Sequence, residues 1–300
     1  MPDSVLKHRS LTVQTIAFEN DGDLLERNLV ALQHAIIRAQ STEAVGRVAV
    51  RVGDCSTVPV LTLPTVQRLA HRFEAAGAFE YDFFAENLGH GGGHNRLAER
   101  ADTDLILFAN PDVTVSPDVI DILASRLVGD VGVVEPRQLP FEHPKFHDPH
   151  TGETGWVSGA FLMARRDVFA QVGGFDAASF FLYGDDVDLS WRIRAQGHLA
   201  VLVTDGYVFH DKRVDEFGVI TSEAEHFYST AASLMLAHKY SRPDIVTRVC
   251  TALAETADPV ARRAYEGFIQ LRDQGALPAP IDADHRVGYF GDGGYARARF

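Results

Sequence analysis

"ENLGHGGGHNRLAERADTDLILFANPDV", Glu86 to Val113, sets a glycine-rich turn after an aromatic strand-like run, then a short helical segment, an apolar run and a polar stop. "DLILF", Asp104 to Phe108, is almost continuously apolar, as expected of a central parallel strand covered on both faces. Covering both faces of such a strand takes helices on each side, which places the chain in the α/β class. The glycines do not spell a dinucleotide fingerprint. Counting G-x-G-x-x-G from Gly89 puts His94 at the last position, and counting from Gly91 puts Arg96 there. The turn also follows the third strand instead of the first, so a Rossmann oxidoreductase is disfavoured. Glycines at a strand-to-helix turn still let backbone N–H groups approach an anion or a sugar closely. "NPDV" falls at the carboxyl end of the buried strand, where ligands of open α/β sheets bind. There Asn110 and Asp112 either hold a divalent cation through Asp112 and water or form an Asn-Pro-Asp turn of the kind common on any surface.

Upstream, "LTVQTIAF" (Leu11–Phe18) and "RVAVRVGD" (Arg47–Asp54) read as strands. Between them Leu25, Leu29, Leu32 and Ile36 share one helical face. "TVQRLAHRFEAAG" is a helix with Pro64 ahead of it and Gly77 at its end, "FEYDFF" a strand, and "HNRLAERA" a short helix. Downstream, Ser116 as N-cap and Pro117 at the first helical position start a helix to about Leu127, followed by the strand "VGVVE". "PRQLPFEHPKFHDPHTGETG" is a loop too polar and broken for regular structure, and "WVSGAFLMARR" resumes as a strand. From Glu223 the pattern is helical. The closing "HRVGYFGDGGYARARF" suits a lid, an oligomer contact in a homo-oligomer, or a frayed tail.

With 300 residues the chain can bury a substantial core, and one large α/β domain with a C-terminal extension is as reasonable as two domains. The net charge of -13 argues against a broad grip on nucleic acid or anionic lipid. A polyanionic substrate would need a metal ion or a few placed Arg and Lys residues. No apolar run reaches the roughly 18 residues of a transmembrane segment, and the start "MPDSVLKHRS" lacks an apolar signal region. Cys55 and Cys250 form neither a disulfide framework nor a zinc pattern and read as buried thiols in a reducing cytoplasm. His143, His147 and His150 suggest a zinc cluster, but loop polarity is the better account of histidines among so many prolines.

"NLGHGGGHN" (Asn87–Asn95), "NPDV" (Asn110–Val113), "GGFDAASFFLYGDDVDLSWRIRAQG" (Gly173–Gly197) and "YVFH" ending at His210 occur in that order. As an ordered set they resemble glycosyltransferase family 2, and within it the rhamnosyltransferase-like branch of GT-A enzymes, over roughly residues 11–240. The resemblance implies a GT-A fold, a Rossmann-like mixed and mostly parallel sheet, in residues 1–240. Residues 241–300 then form a C-terminal helical extension and a Gly/aromatic/Arg tail. It makes Ala17, Phe18 and Glu19 the donor-side strand end, where the family usually has Thr-Tyr-Asn. Asp54 matches the aspartate that contacts uracil or thymine, beside Cys55 where Asn is common. Asn87, Gly89 and Asn95 line the donor turn. Asp112 matches the metal-binding end of the family's DxD element, with Asn110 in place of the first aspartate, and His210 the histidine that completes the metal site.

Transfer from a nucleotide sugar requires the diphosphate's charge to be neutralised while an acceptor hydroxyl loses its proton. Mn²⁺ or Mg²⁺ would meet the first need, and a single carboxylate with His suits Mn²⁺ at least as well as Mg²⁺. For the second, Asp186 matches the Asp of the family's Glu-Asp pair and is expected to be the base. Asp185, in place of the Glu, would orient the base or the acceptor. Acids at the start of a helix also cap it, and Asp188, pairing with Arg192, fits that role better. Trp156, Ser158 and Gly159 form either an acceptor platform or, for the tryptophan, part of the core. The resulting expectation is a metal-dependent inverting glycosyltransferase using a UDP- or dTDP-sugar. Its acceptor would be a glycan, a glycolipid or a small hydroxyl compound, in the cytoplasm or peripheral at the inner membrane face. The rivals are a non-catalytic sugar-nucleotide binder or scaffold on the same fold, and a nucleotidyltransferase, which usually opens with a Gly/Arg/Lys phosphate loop where this chain has "AFENDGD".

Overall fold

A computed structural model describes residues 8–212, 214–215, 218–219, 221–291 and 294–295. Strand and helix alternate through β1 (Leu11–Ala17), α1 (Gly22–Ser41), β2 (Val48–Asp54), α2 (Leu63–Phe73), β3 (Ala78–Phe83), α3 (Gly89–Ala98) and β4 (Leu105–Ala109). Next come β5 (Val113–Val115), α4 (Val119–Arg126), β6 (Val131–Leu139), β7 (Glu153–Thr154), β8 (Phe161–Arg165), α5 (Arg166–Gln171), α6 (Asp185–Ala195) and β9 (Leu199–His210). The helices α7 (Glu223–Lys239), α8 (Pro243–Ala254) and α9 (Pro259–Asp273) close the chain's regular structure.

The main sheet has nine strands, with β3-β2-β1-β4-β8-β6-β9-β5 as its path and β7 added beside β9. Strands β1 to β4 are mutually parallel, β8 runs against β4 and β6, β9 lies parallel to β6, and β5 and β7 oppose β9. This is the expected mixed, largely parallel sheet. The two-sided burial read from "DLILF" is also present. Leu105 and Leu107 face one core with Leu25, Leu29, Leu32 and Ile36 of α1, whereas Ile106 and Phe108 face a second with Phe169, Phe175 and Leu189. Asp21 starts α1 by accepting from the N–H groups of Asp23 and Leu24.

Three local expectations are corrected. The glycine-rich stretch is not a turn ahead of a helix: Gly89–Ala98 is the helix α3, because Gly91 and Gly93 are buried and let it lie against Phe175 and Ile16. Helix α4 begins at Val119 instead of Pro117, since Ser116 spends its hydroxyl on Asp118 and its carbonyl on the Val119 N–H. The strand expected over "WVSGAFLMARR" is confined to Phe161–Arg165. The four preceding N–H groups bond to side chains instead of a neighbouring strand: Val157 to Ser190 (3.1 Å), Ser158 to Glu135 (2.9 Å), Gly159 to Asp186 (2.8 Å) and Ala160 to Ser158 (3.3 Å).

Helix α7 is fastened to α6. Asp188 is fully buried and receives Arg192 at 2.7 Å, as expected from the i, i+4 spacing, but also Lys239 at 2.6 Å and the Tyr240 hydroxyl at 3.0 Å. The described part of the closing segment is not frayed, since Phe290 packs edge-on against Trp191 and Asp282 accepts from the N–H groups of Arg286, Val287 and Gly288. Residues 292–293 and 296–300 of that segment lie outside the described residues. Cys55 is buried, but Cys250 is partly exposed, contrary to expectation.

Candidate active site

The polar stop after β4 is held from below by Asn28 of α1. Its amide donates to the Pro111 carbonyl (2.8 Å) and its oxygen accepts from the Thr114 hydroxyl (2.6 Å). Strand β5 then pairs with β9 so that Val113 faces His210, which brings His210 beside Asp112. His210 Nε2 lies 3.3 Å from Asp112 Oδ2, while His210 Nδ1 meets the Gln138 side-chain oxygen at 3.1 Å. In the tautomer with its proton on Nδ1, His210 turns the Nε2 lone pair toward the carboxylate, and a cation between the two would be held by both. Asp112 Oδ1 is also buried and has no hydrogen-bond partner among the described residues. The pair therefore fits a divalent cation whose remaining ligands come from a substrate. Among the described residues no group of three His, Cys, Asp or Glu could hold a metal by itself.

The second half of the site is the first turn of α6. Asp186 accepts from the Gly159 N–H through Oδ2 and from the Val187 N–H through Oδ1, both at 2.8 Å. Burial, and after it the charge of Asp185, raises the Asp186 pKa, with the Gly159 N–H and His90 opposing. Asp185 is nearly buried and bonds His90 Nδ1 at 2.6 Å. Burial works against a charge on His90, but Asp185 and then Asp186 outweigh it, and the imidazole pKa is raised. Beneath it His94 packs edge-on at 4.7 Å between ring centroids and, being buried, has its pKa driven well down. Gly91 and Gly159 make this approach feasible: a Cβ on Gly91 would lie 3.3 Å from Asp185 Oδ2, and one on Gly159 would lie 3.0 Å from His90.

The two halves meet. Adjacent residues join them, since the Gly159 N–H holds Asp186 and the Ala160 carbonyl accepts from the Asn110 N–H at 2.8 Å. Asn110, Asp112 and His210 line the same cavity, of about 440 Å³, as His90, Asp185 and Asp186. It opens at the carboxyl end of β4, beside the point where the strand order turns back from β1.

No family model matches the chain. Its sequence is 34% identical to an N-acetylglucosaminyl-diphospho-decaprenol L-rhamnosyltransferase of Mycobacterium tuberculosis, over 42% of this chain and 56% of that protein. It is 29% identical to the O-antigen biosynthesis protein RfbC of Myxococcus xanthus, over 46% of this chain and 13% of that protein. The chain thus spans only about half the length of the first relative, 56%. The mannosyltransferase PcManGT of Pyrobaculum calidifontis, solved with GDP-Man and Mn²⁺, superimposes with a TM-score of 0.56 at 16% identity, covering 88% of this chain and 81% of the other. GalNAc-T7, solved with UDP, GalNAc and Mn²⁺, does so with a TM-score of 0.62 at 12% identity, covering 93% and 60%. The chain has the GT-A fold of these solved glycosyltransferases and is similar in sequence to a rhamnosyltransferase over 42% of its length.

Within this GT-A frame several residues expected at the donor also bond within the protein. Asp54 is fully buried, and its oxygens are taken by the N–H groups of Ser56 (2.9 Å) and Val60 (2.7 Å) and by the Tyr81 hydroxyl. It shapes the 55–60 loop through these bonds. Asn95 grips the Phe175 backbone with both side-chain atoms (2.8 and 2.9 Å). Asn87 accepts from the Gly89 N–H at 3.2 Å. Gly89 takes φ +69°, and a Cβ there would meet the Phe181 carbonyl at 2.2 Å, so its task is close packing. Ala17 is buried and tied to Cys55. Glu19, at φ +54°, donates its N–H to Ser56, and Phe18 remains 42% exposed at the end of β1.

On the acceptor side Ser158 and Gly159 line the cavity, whereas Trp156 does not. Trp156 is buried against Phe180, Val187 and Trp191, with the Lys145 ammonium 4.2 Å from its ring centroid. It belongs to the core that supports the site. Of the three loop histidines only His143 lines the cavity. The loop is tied down by an ion pair the sequence did not suggest, Lys145 with the fully buried Glu135, whose other oxygen receives the Ser158 N–H. Burial lifts the Glu135 pKa from 4.5 to about 7, against the pull of Lys145. The folded state therefore holds this proton more tightly than the unfolded chain. The stability Glu135 contributes is full below pH 4.5 and is lost as pH rises through about 7. Lys145→Met, which strands the carboxylate, should cost about 3–5 kcal/mol at pH 8, and Glu135→Gln less, measured by urea denaturation. Equal midpoints for wild type and Lys145→Met would show that the pair does not hold the loop.

Proposed function

We propose that the chain is a metal-dependent, inverting glycosyltransferase that moves a sugar from a UDP- or dTDP-sugar to a hydroxyl of a glycolipid acceptor. The observation that carries this is the single cavity shared by the Asp112–His210 pair and the His90–Asp185–Asp186 cluster. A divalent cation held by Asp112 and His210, Mn²⁺ or Mg²⁺, would serve as Lewis acid for the departing diphosphate. Asn110 stands at the same wall of the cavity. Asp186 takes the proton of the acceptor hydroxyl, held in place by the N–H groups of Gly159 and Val187. Asp185 favours the protonated form of His90, and a positive charge there favours the ionised base. Phe18, exposed at the end of β1, is the side chain of the donor-side strand free to stack on a base. Inversion follows from one displacement with one base, as in the family the sequence resembles.

A glycolipid is chosen because the mycobacterial relative is named for an N-acetylglucosaminyl-diphospho-decaprenol acceptor. Among the described residues no helix is long and apolar enough to cross a membrane.

The test is a thermal-shift panel of nucleotide sugars, each with Mn²⁺, with Mg²⁺ and with EDTA, joined to an assay of donor hydrolysis. A cognate donor at about 100 times its dissociation constant stabilises the fold by about 2.7 kcal/mol. Stabilisation without any hydrolysis or transfer would favour a sugar-nucleotide binder, and no shift with any donor would remove the proposal. His90→Phe gives a further check. Without the His90 ring, the Asp186 carboxyl loses the interaction that lowers its pKa and binds its proton more tightly. The acid limb of the kcat/KM profile should then move to higher pH, and an unmoved limb would exclude His90 from control of the base.

A further inference from the structure

Next to the catalytic cavity lies a second one of about 500 Å³, walled by the loop before Asp185 and by helices α7 and α9. Phe181, Phe227, Tyr228, Phe268 and Leu271 line it, with Ser179, Gln270 and the Tyr228 hydroxyl as polar side-chain groups. None of its described lining residues is charged. Leu182 lines both cavities, so the partition between them is the same loop that leads into the proposed base.

We propose that this groove binds the hydrocarbon chain of the lipid-linked acceptor while its sugar head passes Leu182 into the catalytic cavity. The inference rests on the glycolipid reading above and assigns that lipid a site. A peptide in the same place would need partners for its backbone N–H and C=O groups, and the lining offers only three hydrogen-bonding side chains, Ser179, Tyr228 and Gln270. A prenyl or acyl chain needs none. A soluble monomer seldom leaves an apolar hollow of this kind open without a partner. Adsorption to an anionic membrane by charge is disfavoured at a net charge of -13, so recognition falls to the chain itself. Small residues on the facing helices keep the space open. Gly267 lies in the middle of α9 with helical φ, where glycine costs about 1 kcal/mol relative to alanine. A Cβ added there would meet nothing within 4 Å. Neither the backbone nor close packing requires glycine at this position, whereas an open groove does.

The test uses two synthetic probes, N-acetylglucosamine diphosphate esterified with a farnesyl group and the same compound esterified with a methyl group. Binding to the full chain is measured by calorimetry in the absence of donor. The farnesyl probe should bind at least about tenfold tighter than the methyl probe. Gly267→Phe, which fills the groove and favours the helix, should erase that difference while leaving the thermal shift with nucleotide sugar unchanged. Leu271→Asp, at a partly exposed position, should do the same without relying on steric fill. Equal affinity for the two probes, or a farnesyl advantage that survives both substitutions, overturns the proposal. So does a wild-type dimer that Gly267→Phe converts to a monomer, because the groove would then belong to a second copy of the chain. Because no donor is present, a farnesyl advantage without any donor shift would sink the transferase reading alone. A donor shift without the farnesyl advantage would sink the groove alone.

Discussion

Asp186→Asn is expected to bind nucleotide sugar as wild type does and to transfer it about 10²–10⁴-fold more slowly. The size follows from what is removed. Asp186 is the carboxylate of the cavity whose two oxygens are each held by one backbone N–H, from Gly159 and Val187, so it is fixed in direction and keeps lone pairs for an incoming proton. Asn retains the shape but has one acceptor oxygen where Asp has two, leaving one of those N–H groups facing an amide NH₂. That mismatch should cost about 1 kcal/mol of stability, well short of unfolding. The raised pKa of Asp186, caused by burial and then by Asp185, also predicts an acid limb of the wild-type profile above the ordinary aspartate range. Single-turnover transfer and donor affinity, measured together, separate the two effects. Wild-type turnover by Asp186→Asn would end the assignment of the base.

Asp112→Asn should weaken Mn²⁺-dependent donor binding by at least about 100-fold and leave the residual affinity insensitive to EDTA. Asp112 and His210 stand 3.3 Å apart, and in the tautomer that donates from Nδ1 to Gln138 the facing nitrogen of His210 is an acceptor. Neutralising Asp112 removes the charge that makes this pair attractive to a divalent ion while preserving its hydrogen-bonding shape. The fold should survive, because the turn is held by Asn28 through Pro111 and Thr114, and not by the Asp112 carboxylate. Donor affinity that is equal with and without Mn²⁺ in the wild type, or unchanged in the variant, would take Asp112 out of the site.

Much of this architecture is legible along the chain because its causes are local. The periodicity of Leu25, Leu29, Leu32 and Ile36 names the buried face of α1, and the unbroken "DLILF" announces a strand with a core on each side. The order of "NPDV", "GDDVD" and "YVFH" marks Asp112, Asp186 and His210. Where the reading missed, long-range partners decided. "GHGGGHN" carries poor helix formers, and it becomes helix α3 only because its small residues let it press on Phe175 and Ile16. Asp54 and Asn95 have residue types suited to a ligand, but their bonds go to Tyr81, Val60 and Phe175, partners no spacing rule would nominate. His90 carried a signal that was available, a histidine one residue after Gly89 where the family pattern does not call for one. Its meaning depends on Asp185, 95 positions away.

The sequence by itself determined the class of fold, the central strand and the carboxylates at its carboxyl end, because propensity and burial pattern act over a few residues. Only the tertiary structure decided which of those groups face one another. Register between β5 and β9 sets His210 against Asp112, and packing of α3 on α6 sets His90 against Asp185. The charge a group carries depends on desolvation and on neighbours brought from elsewhere in the chain, and both exist only once the chain has closed around them.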